Sequence, residues 1–346
     1  MEVLEAQRRA ALVLLASLLL LALLGILSLG PYAVLPLLFR AVLLHWGYAR
    51  GARRVLGEEA ARRLGLAFSP KGELPKARLP DGRSVVAVPL LPEGEPEVHG
   101  ELRGEVLGHP FRRFQVSVYG AKRFGLVGYR FSGVLYQVEL SGAPFPQMNR
   151  PLSLPVLHLA PRGWPTYPRE RWPFFLALLG LSGALLALLA QGLTGLPVLK
   201  PGASALLLLV FPALFFYLLA AWRVATREIG PRVALEGELA RRFRAWGYTG
   251  AITGESPLGR ALLKMWRALG PFWLRVEGSH LFLAFPGGNP PTSLLLPPQA
   301  ALARWVGQLR REVEALAGLA QALEAGPNQA HAETPRLEQS ETRWKR

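Results

Sequence analysis

Apolar positions in this chain follow two rhythms. Four stretches are apolar almost without interruption and come as two tight pairs: Ala10–Gly30 with Tyr32–Trp46, and Phe174–Leu196 with Ala203–Trp222. Gly30-Pro31 joins the first pair and Pro197–Gly202 the second. Elsewhere apolar residues alternate or recur at helical spacing, as in a water-exposed domain. A run of about 20 uncharged residues at about 1.5 Å each crosses a hydrocarbon core about 30 Å thick. Ala10–Gly30 meets that requirement. A cleavable signal peptide is the competing reading, but a second apolar stretch follows at once and no small-residue cleavage site separates the two. In the second pair Gln191 is the only strongly polar side chain, Gly180, Gly183 and Ala184 allow close helix approach, and Pro212 is tolerable with a local kink. Tyr32–Trp46 is short and carries Arg40 and His45. An arginine there either has a function in the membrane or snorkels from a short, tilted helix.

The arginines decide between these topologies. Arg8 and Arg9 precede the first pair, and Arg50, Arg53, Arg54, Arg62 and Arg63 follow it. Arg162, Arg169 and Arg171 precede the second pair, and Arg223, Arg227, Arg232, Arg241, Arg242 and Arg244 follow it. Only Lys200 lies in a joint. The positive-inside rule puts all flanks in the cytoplasm and both joints outside. This requires Tyr32–Trp46 to cross, and it predicts a multi-pass inner-membrane protein with both termini cytoplasmic. Arg50, Arg53, Arg54, Arg223 and Arg227 are then the candidate basic residues facing an anionic inner leaflet, where each charge contributes about 1 kcal/mol. Arg40 and Gln191 are the candidate intramembrane polar residues.

Between the pairs, Ala52–Leu64 has helical composition. From Ser84 the period is two: Val86 and Val88, then Phe114, Val116 and Val118, then Val134, Tyr136, Val138 and Leu140. These predict half-buried strands of a small antiparallel sheet, with turns at Pro80–Gly82 and Tyr119–Lys122. Pro144–Pro173 has no period and reads as a linker. After the second pair, Leu235–Trp246 reads as a helix ended by Gly247. Ser256-Pro257 is a start signal for a helix over Leu258–Leu269. Trp273–Val276 and Leu281–Phe285 form a hairpin that turns at Gly278-Ser279. Pro298–Leu323 is a long helix with Leu302, Val306, Leu309, Val313, Leu316, Ala320 and Leu323 along one seam. That seam suits packing on the domain's own sheet or self-association. The chain beyond Gly326 is polar and reads as a disordered tail.

The expected fold is α+β with membrane helices: two transmembrane helical hairpins plus a cytoplasmic domain with a small antiparallel sheet and flanking helices. The divisions are 1–47 (first hairpin), 48–172 (strand-rich block), 173–222 (second hairpin), 223–326 (second block, expected to share a domain with the first) and 327–346 (tail).

Composition narrows the chemistry. Cysteine is absent, which removes disulfides, thiolate nucleophiles and cysteine-bound metals. Asp81 is the only aspartate. The net charge of +16 is distributed as a membrane topology signal; the basic residues lack the aromatic interleaving of a nucleic-acid reader. The histidines His45, His99, His109, His158, His280 and His331 have no metal-ligand spacing. Glu95, Glu97, Glu101 and Glu105 cluster, but a solvated strand face explains them as well as a cation site. No catalytic residue, cofactor or metal site is expected.

Several segments carry a resemblance. Arg53–Leu74, Phe131–Leu140 with its Phe-x-Gly start, and Leu235–Leu263 followed by Leu274–Gly287 are similar to segments of a bacterial membrane-protein family of unknown function. The resemblance implies an N-terminal transmembrane pair and a cytoplasmic α+β domain, without catalytic residues. The second apolar pair is extra to that pattern and interrupts it. Three functions remain open at this point. The first is a non-enzymatic scaffold or accessory factor that contacts protein or lipid, with Pro298–Leu323 as a contact element. The second is an enzyme at the inner leaflet that gathers Glu101, Glu105 and His109, or His280. The third is a small transporter or channel subunit with Arg40 and Gln191 lining a cavity.

Overall fold

The computed structural model describes residues 1–29, 34–78, 84–86, 88–91, 95–120, 129–141, 156–168, 172–194, 201–247, 249–288 and 290–325. Helices α1 (Glu2–Leu29) and α2 (Val34–Leu64) come first. Strands β1 (Ala67–Ser69), β2 (Lys76–Arg78), β3 (Ser84–Val86), β4 (Glu95–Val106), β5 (His109–Gly120), β6 (Tyr129–Glu139) and β7 (Leu157–Pro161) follow. Next are α3 (Trp172–Thr194) and α4 (Pro201–Ala225). The chain then forms α5 (Gly237–Arg242), β8 (Phe243–Gly247), α6 (Pro257–Leu269), β9 (Trp273–Glu277), β10 (His280–Pro286) and α7 (Pro298–Glu324).

The fold is α+β, and its centre is one antiparallel sheet in the order β1-β4-β5-β6-β10-β9-β7-β8. β2 and β3 form a separate two-stranded ribbon. Strands from both sides of α3–α4 lie in the large sheet, with β10 and β9 between β6 and β7. The sheet is larger than the small one expected because two segments were read differently from sequence. Pro144–Pro173 contains β7, whose five residues are all buried between β8 and β9; its prolines end the strand at Pro161 instead of preventing it. Leu235–Trp246 is not one helix. α5 stops at Arg242, and the chain extends because Phe243 and Ala245 alternate with Arg244 and Trp246 to suit the two faces of an edge strand. The predicted turn at Pro80–Gly82 and the tail beyond Gly326 lie outside the described residues; of the predicted Tyr119–Lys122 turn, Tyr119 and Gly120 are the end of β5 and the other two residues lie outside them.

Register assigns the faces, because directly opposed residues share one. One row runs Leu102, Arg113, Tyr136, Leu283, Leu274, Leu159, Ala245 from β4 to β8. This face is covered by α6 and α7 through Leu258, Leu262, Met265, Leu316, Leu319 and Leu323. The opposite face packs Phe114, Val116, Phe131 and Trp273 under Leu74, Val88 and Leu90. Gly133, the glycine of the Phe-x-Gly start, is needed here: a Cβ would collide with the Phe285 carbonyl of β10. A third cluster joins Leu4 of α1, Tyr48, Ala52 and Leu56 of α2, and Leu302, Trp305 and Leu309 of α7. The seam of α7 is thus buried within the chain, its first half against α1–α2 and its second half against the sheet.

Among the described residues, one stretch, Glu2–Leu24, is long and apolar enough to cross a membrane; Leu179–Gln191 and Pro212–Ala225 are shorter apolar helical stretches. α1 packs on α2 and α3 on α4. Each pair exposes large apolar side chains, among them Leu20, Phe39, Leu186 and Phe216.

Candidate functional site

α2 is a single helix that carries the second apolar stretch directly into its basic turns. Trp46 and Arg50 are one turn apart and exposed, with the Arg50 guanidinium 4.2 Å from the Trp46 ring centre. Such a pair presents an amphipathic ring and a cation at the same level. Arg54 is exposed and donates to Glu58 at 3.0 Å. Arg53 is half-buried, and its Nε lacks a partner. Arg223 and Arg227 are exposed where α4 ends. Arg40 is exposed on α2, whereas Gln191 is half-buried on α3, in the other helix pair.

The charged turns of α1 meet the start of α7 in an open cavity of about 660 Å³, lined by Glu2, Glu5, Arg8, Arg9, Pro297 and Gln299 among others. Its floor is fixed by an ion pair. Arg8 donates Nε and Nη2 to the two carboxylate oxygens of Glu5 at 2.8 and 2.7 Å, and Nη1 to the Leu294 carbonyl at 3.1 Å. Arg9 donates its Nε to the same carboxylate at 2.9 Å and leaves the rest of its guanidinium outward, with 75 % of the side chain exposed. Glu2 is exposed.

Glu101, Glu105, His109 and His280 are not gathered into one site. Glu101 is buried, and it accepts from Arg103 at 2.7 Å and Arg112 at 2.6 Å. Burial alone would raise its pKa; the two guanidinium groups outweigh that and hold the carboxyl below its ordinary value. Glu105 shares that face but is exposed, while His109 lies on the other face with Glu324 at 3.2 Å. His280 lies on β10, three strands from the β4 of Glu101, and opposes Glu139 and Glu277. His99 bonds to Ser117 at 2.9 Å, and burial lowers its pKa. His158 is enclosed, bonds the Thr166 carbonyl through Nε2 at 2.8 Å, and is pushed by burial to a pKa of about 3. His45 is exposed, and His331 lies outside the described residues. No group of three His, Cys, Asp or Glu able to hold a metal occurs among the described residues.

One polar constellation was not anticipated. Arg113 and Glu312 are both almost wholly enclosed, with Arg113 Nε donating to Glu312 Oε2 at 3.0 Å. The Tyr136 hydroxyl donates to the same oxygen at 2.8 Å, and Gln308 donates to Oε1 at 2.8 Å. Arg113 also donates to the Gly288 carbonyl at 2.6 Å. Desolvation, then the neighbouring carboxylate, raise the Tyr136 phenol well above its ordinary pKa, so it remains a donor. The network is closed off from solvent and holds β5 and β6 to α7.

No family model matches the chain, and no curated protein and no solved structure matches it.

Proposed function

We propose that this is a multi-pass inner-membrane protein, with two helical hairpins and both termini in the cytoplasm, whose single sheet domain is a non-enzymatic scaffold or accessory module held against the bilayer. The observation that carries the reading is the placement of the apolar helix pairs. α1–α2 lead into β1 at one edge of the sheet, and α3–α4 are inserted between β7 and β8 at the other. α3 and α4 are 23 and 25 residues long, which at about 1.5 Å per residue is roughly the span of a hydrocarbon core. Leu179, Leu186, Leu189, Phe215 and Phe216 are exposed on them, and an exposed apolar face of this kind suits lipid. Arg50 and Arg54, just past the apolar part of α2, and Arg223 and Arg227, where α4 ends, suit anionic lipid. The resemblance to membrane proteins with an N-terminal pair and a cytoplasmic α+β domain agrees with this reading and brings no catalytic residues.

The test is topology. Reporter fusions at Gly30, Gly142, Lys200 and the C-terminus are expected to read outside, inside, outside and inside. An outside signal at Gly142 would refute the arrangement.

A further inference from the structure

We infer that the turn at residues 293–296, which leads into α7, is a further membrane contact of the domain: its Leu295 side chain inserts into the lipid interface of the leaflet that α1 and α2 enter. The inference rests on the membrane reading proposed above.

The height of the turn is fixed from two sides. Leu294 is buried in one cluster with Leu4 and Ala11 of α1 and with Tyr48 and Ala52 of α2. Its carbonyl accepts from Arg8 Nη1 at 3.1 Å. On α1 the charged residues end at Arg9, where the uncharged run begins; on α2 they resume at Arg50, two residues past Tyr48. Both helices therefore change from apolar to charged close to the height of Leu294. The exposed Trp46–Arg50 pair stands at the same height, as a ring and a cation at a bilayer interface would. Leu295 is the next residue. It points outward and is 82 % exposed, more than Leu20, Phe39, Leu186 or Phe216 of the helix pairs.

A lone exposed leucine needs no partner; the backbone around this one supplies the second observation. The Leu295 N–H donates to the Ser293 hydroxyl at 3.2 Å, and the Leu296 N–H to the Ser293 carbonyl at 3.2 Å. Pro297 and Pro298 have no N–H to satisfy. Residues 295–298 thus carry no unpaired backbone donor out of water, which is the condition for a turn to enter a lipid interface without losing hydrogen bonds. The occupant follows from continuity: the turn is packed on α1 and α2 where their apolar surface begins, so lipid that covers those helices reaches Leu295. The contact holds the start of α7 to the bilayer and keeps the sheet from rocking about the α1–α2 pair.

The test uses the absence of cysteine from the chain, which lets a single introduced thiol report one place. Leu295→Cys and, as a reference, Leu107→Cys are each made in the full chain, labelled with a small fluorophore and placed in nanodiscs of phosphatidylethanolamine and phosphatidylglycerol. Both leucines are exposed, so neither substitution disturbs the packing. Leu107 is two residues from His109, which meets Glu324 at the end of α7. α7 starts at Pro298 and is 27 residues long, roughly 40 Å, so the reference lies far from the turn. The label at 295 is expected to lose emission to a nitroxide carried at the top of the acyl chains and to resist iodide added to the water. The label at 107 is expected to do the reverse. Equal iodide quenching at the two positions would overturn the inference. So would a label at 295 that neither quencher reaches, which would mean that a second copy or another protein covers the turn. Alkaline carbonate extraction separates the two proposals: a wild type that washes off membranes defeats the membrane reading itself, whereas a resistant protein with an iodide-accessible label at 295 defeats only the turn contact.

Discussion

Keeping a carboxylate ionised out of reach of water costs several kcal/mol unless partners surround it. Glu312 has three: Arg113, Tyr136 and Gln308. Glu312→Ala strands the Arg113 charge in the core and should cost about 3–5 kcal/mol. Tyr136→Phe removes one donor while the ion pair persists and should cost about 1–2 kcal/mol. Replacing both charges together, Arg113→Met with Glu312→Leu, should recover most of the loss. Thermal melts followed by tryptophan fluorescence will rank the variants, and equal losses for all three would refute this account. The network was illegible in the sequence for a physical reason. Along β5 the period-two pattern was read from Phe114, Val116 and Val118, which made Arg113, Gln115 and Ser117 the wet face. In the folded chain both faces are covered, and Arg113 lies in the row with Leu102 and Tyr136. Glu312 stands among Arg310, Arg311 and Glu314 on α7, and nothing local marks it as the buried one.

Elements whose ends are set by local chemistry were read well. Ser256 accepts from the Gly259 amide at 3.0 Å and opens α6 with Pro257 behind it. Gly278 adopts φ 58° in the turn between β9 and β10, as a tight hairpin requires. α7 begins at Pro298, as its pattern predicts. Elements defined by distant partners were not: β7 is a strand because β8 and β9 flank it, and β8 because β7 does. The turn between β4 and β5 was also missed. It uses Leu107-Gly108, both with positive φ at 53° and 84°, and leucine is a poor residue for that conformation. Leu107 is exposed, so its side chain contributes little packing there. Leu107→Asn should therefore stabilise the protein by about 0.5–1 kcal/mol through better turn chemistry. A melting temperature that falls in this variant would mean that Leu107 is covered by another molecule in solution.

At the scale of the molecule, the α3–α4 pair leaves the domain and returns to almost the same place. The Thr166 amide donates to the Ala225 carbonyl at 2.8 Å, and the Thr166 hydroxyl to the Arg227 carbonyl at 2.8 Å. Replacing residues 169–224 with a short Gly/Ser linker should leave the sheet folded, with the melting temperature moved by less than about 4 °C, the equivalent of roughly 1 kcal/mol. Loss of cooperative melting would show that the pair is part of the domain's support. The sequence exposed this pair as an interruption between two blocks expected to share one domain, but not the strand order around it, which depends on pairings far apart in the chain. That order has a consequence for how the protein is made. β6 finds its second neighbour only in β10, and the carboxylate that neutralises Arg113 lies 199 residues further on. At about 5–20 residues per second, the ribosome takes roughly 10–40 s to deliver Glu312 after Arg113. β6 itself has an open edge, able to pair with other chains, from its own synthesis until β10 emerges. The nascent chain therefore cannot complete its sheet until β10 emerges, and α7, which follows β10, covers the face on which Arg113 lies.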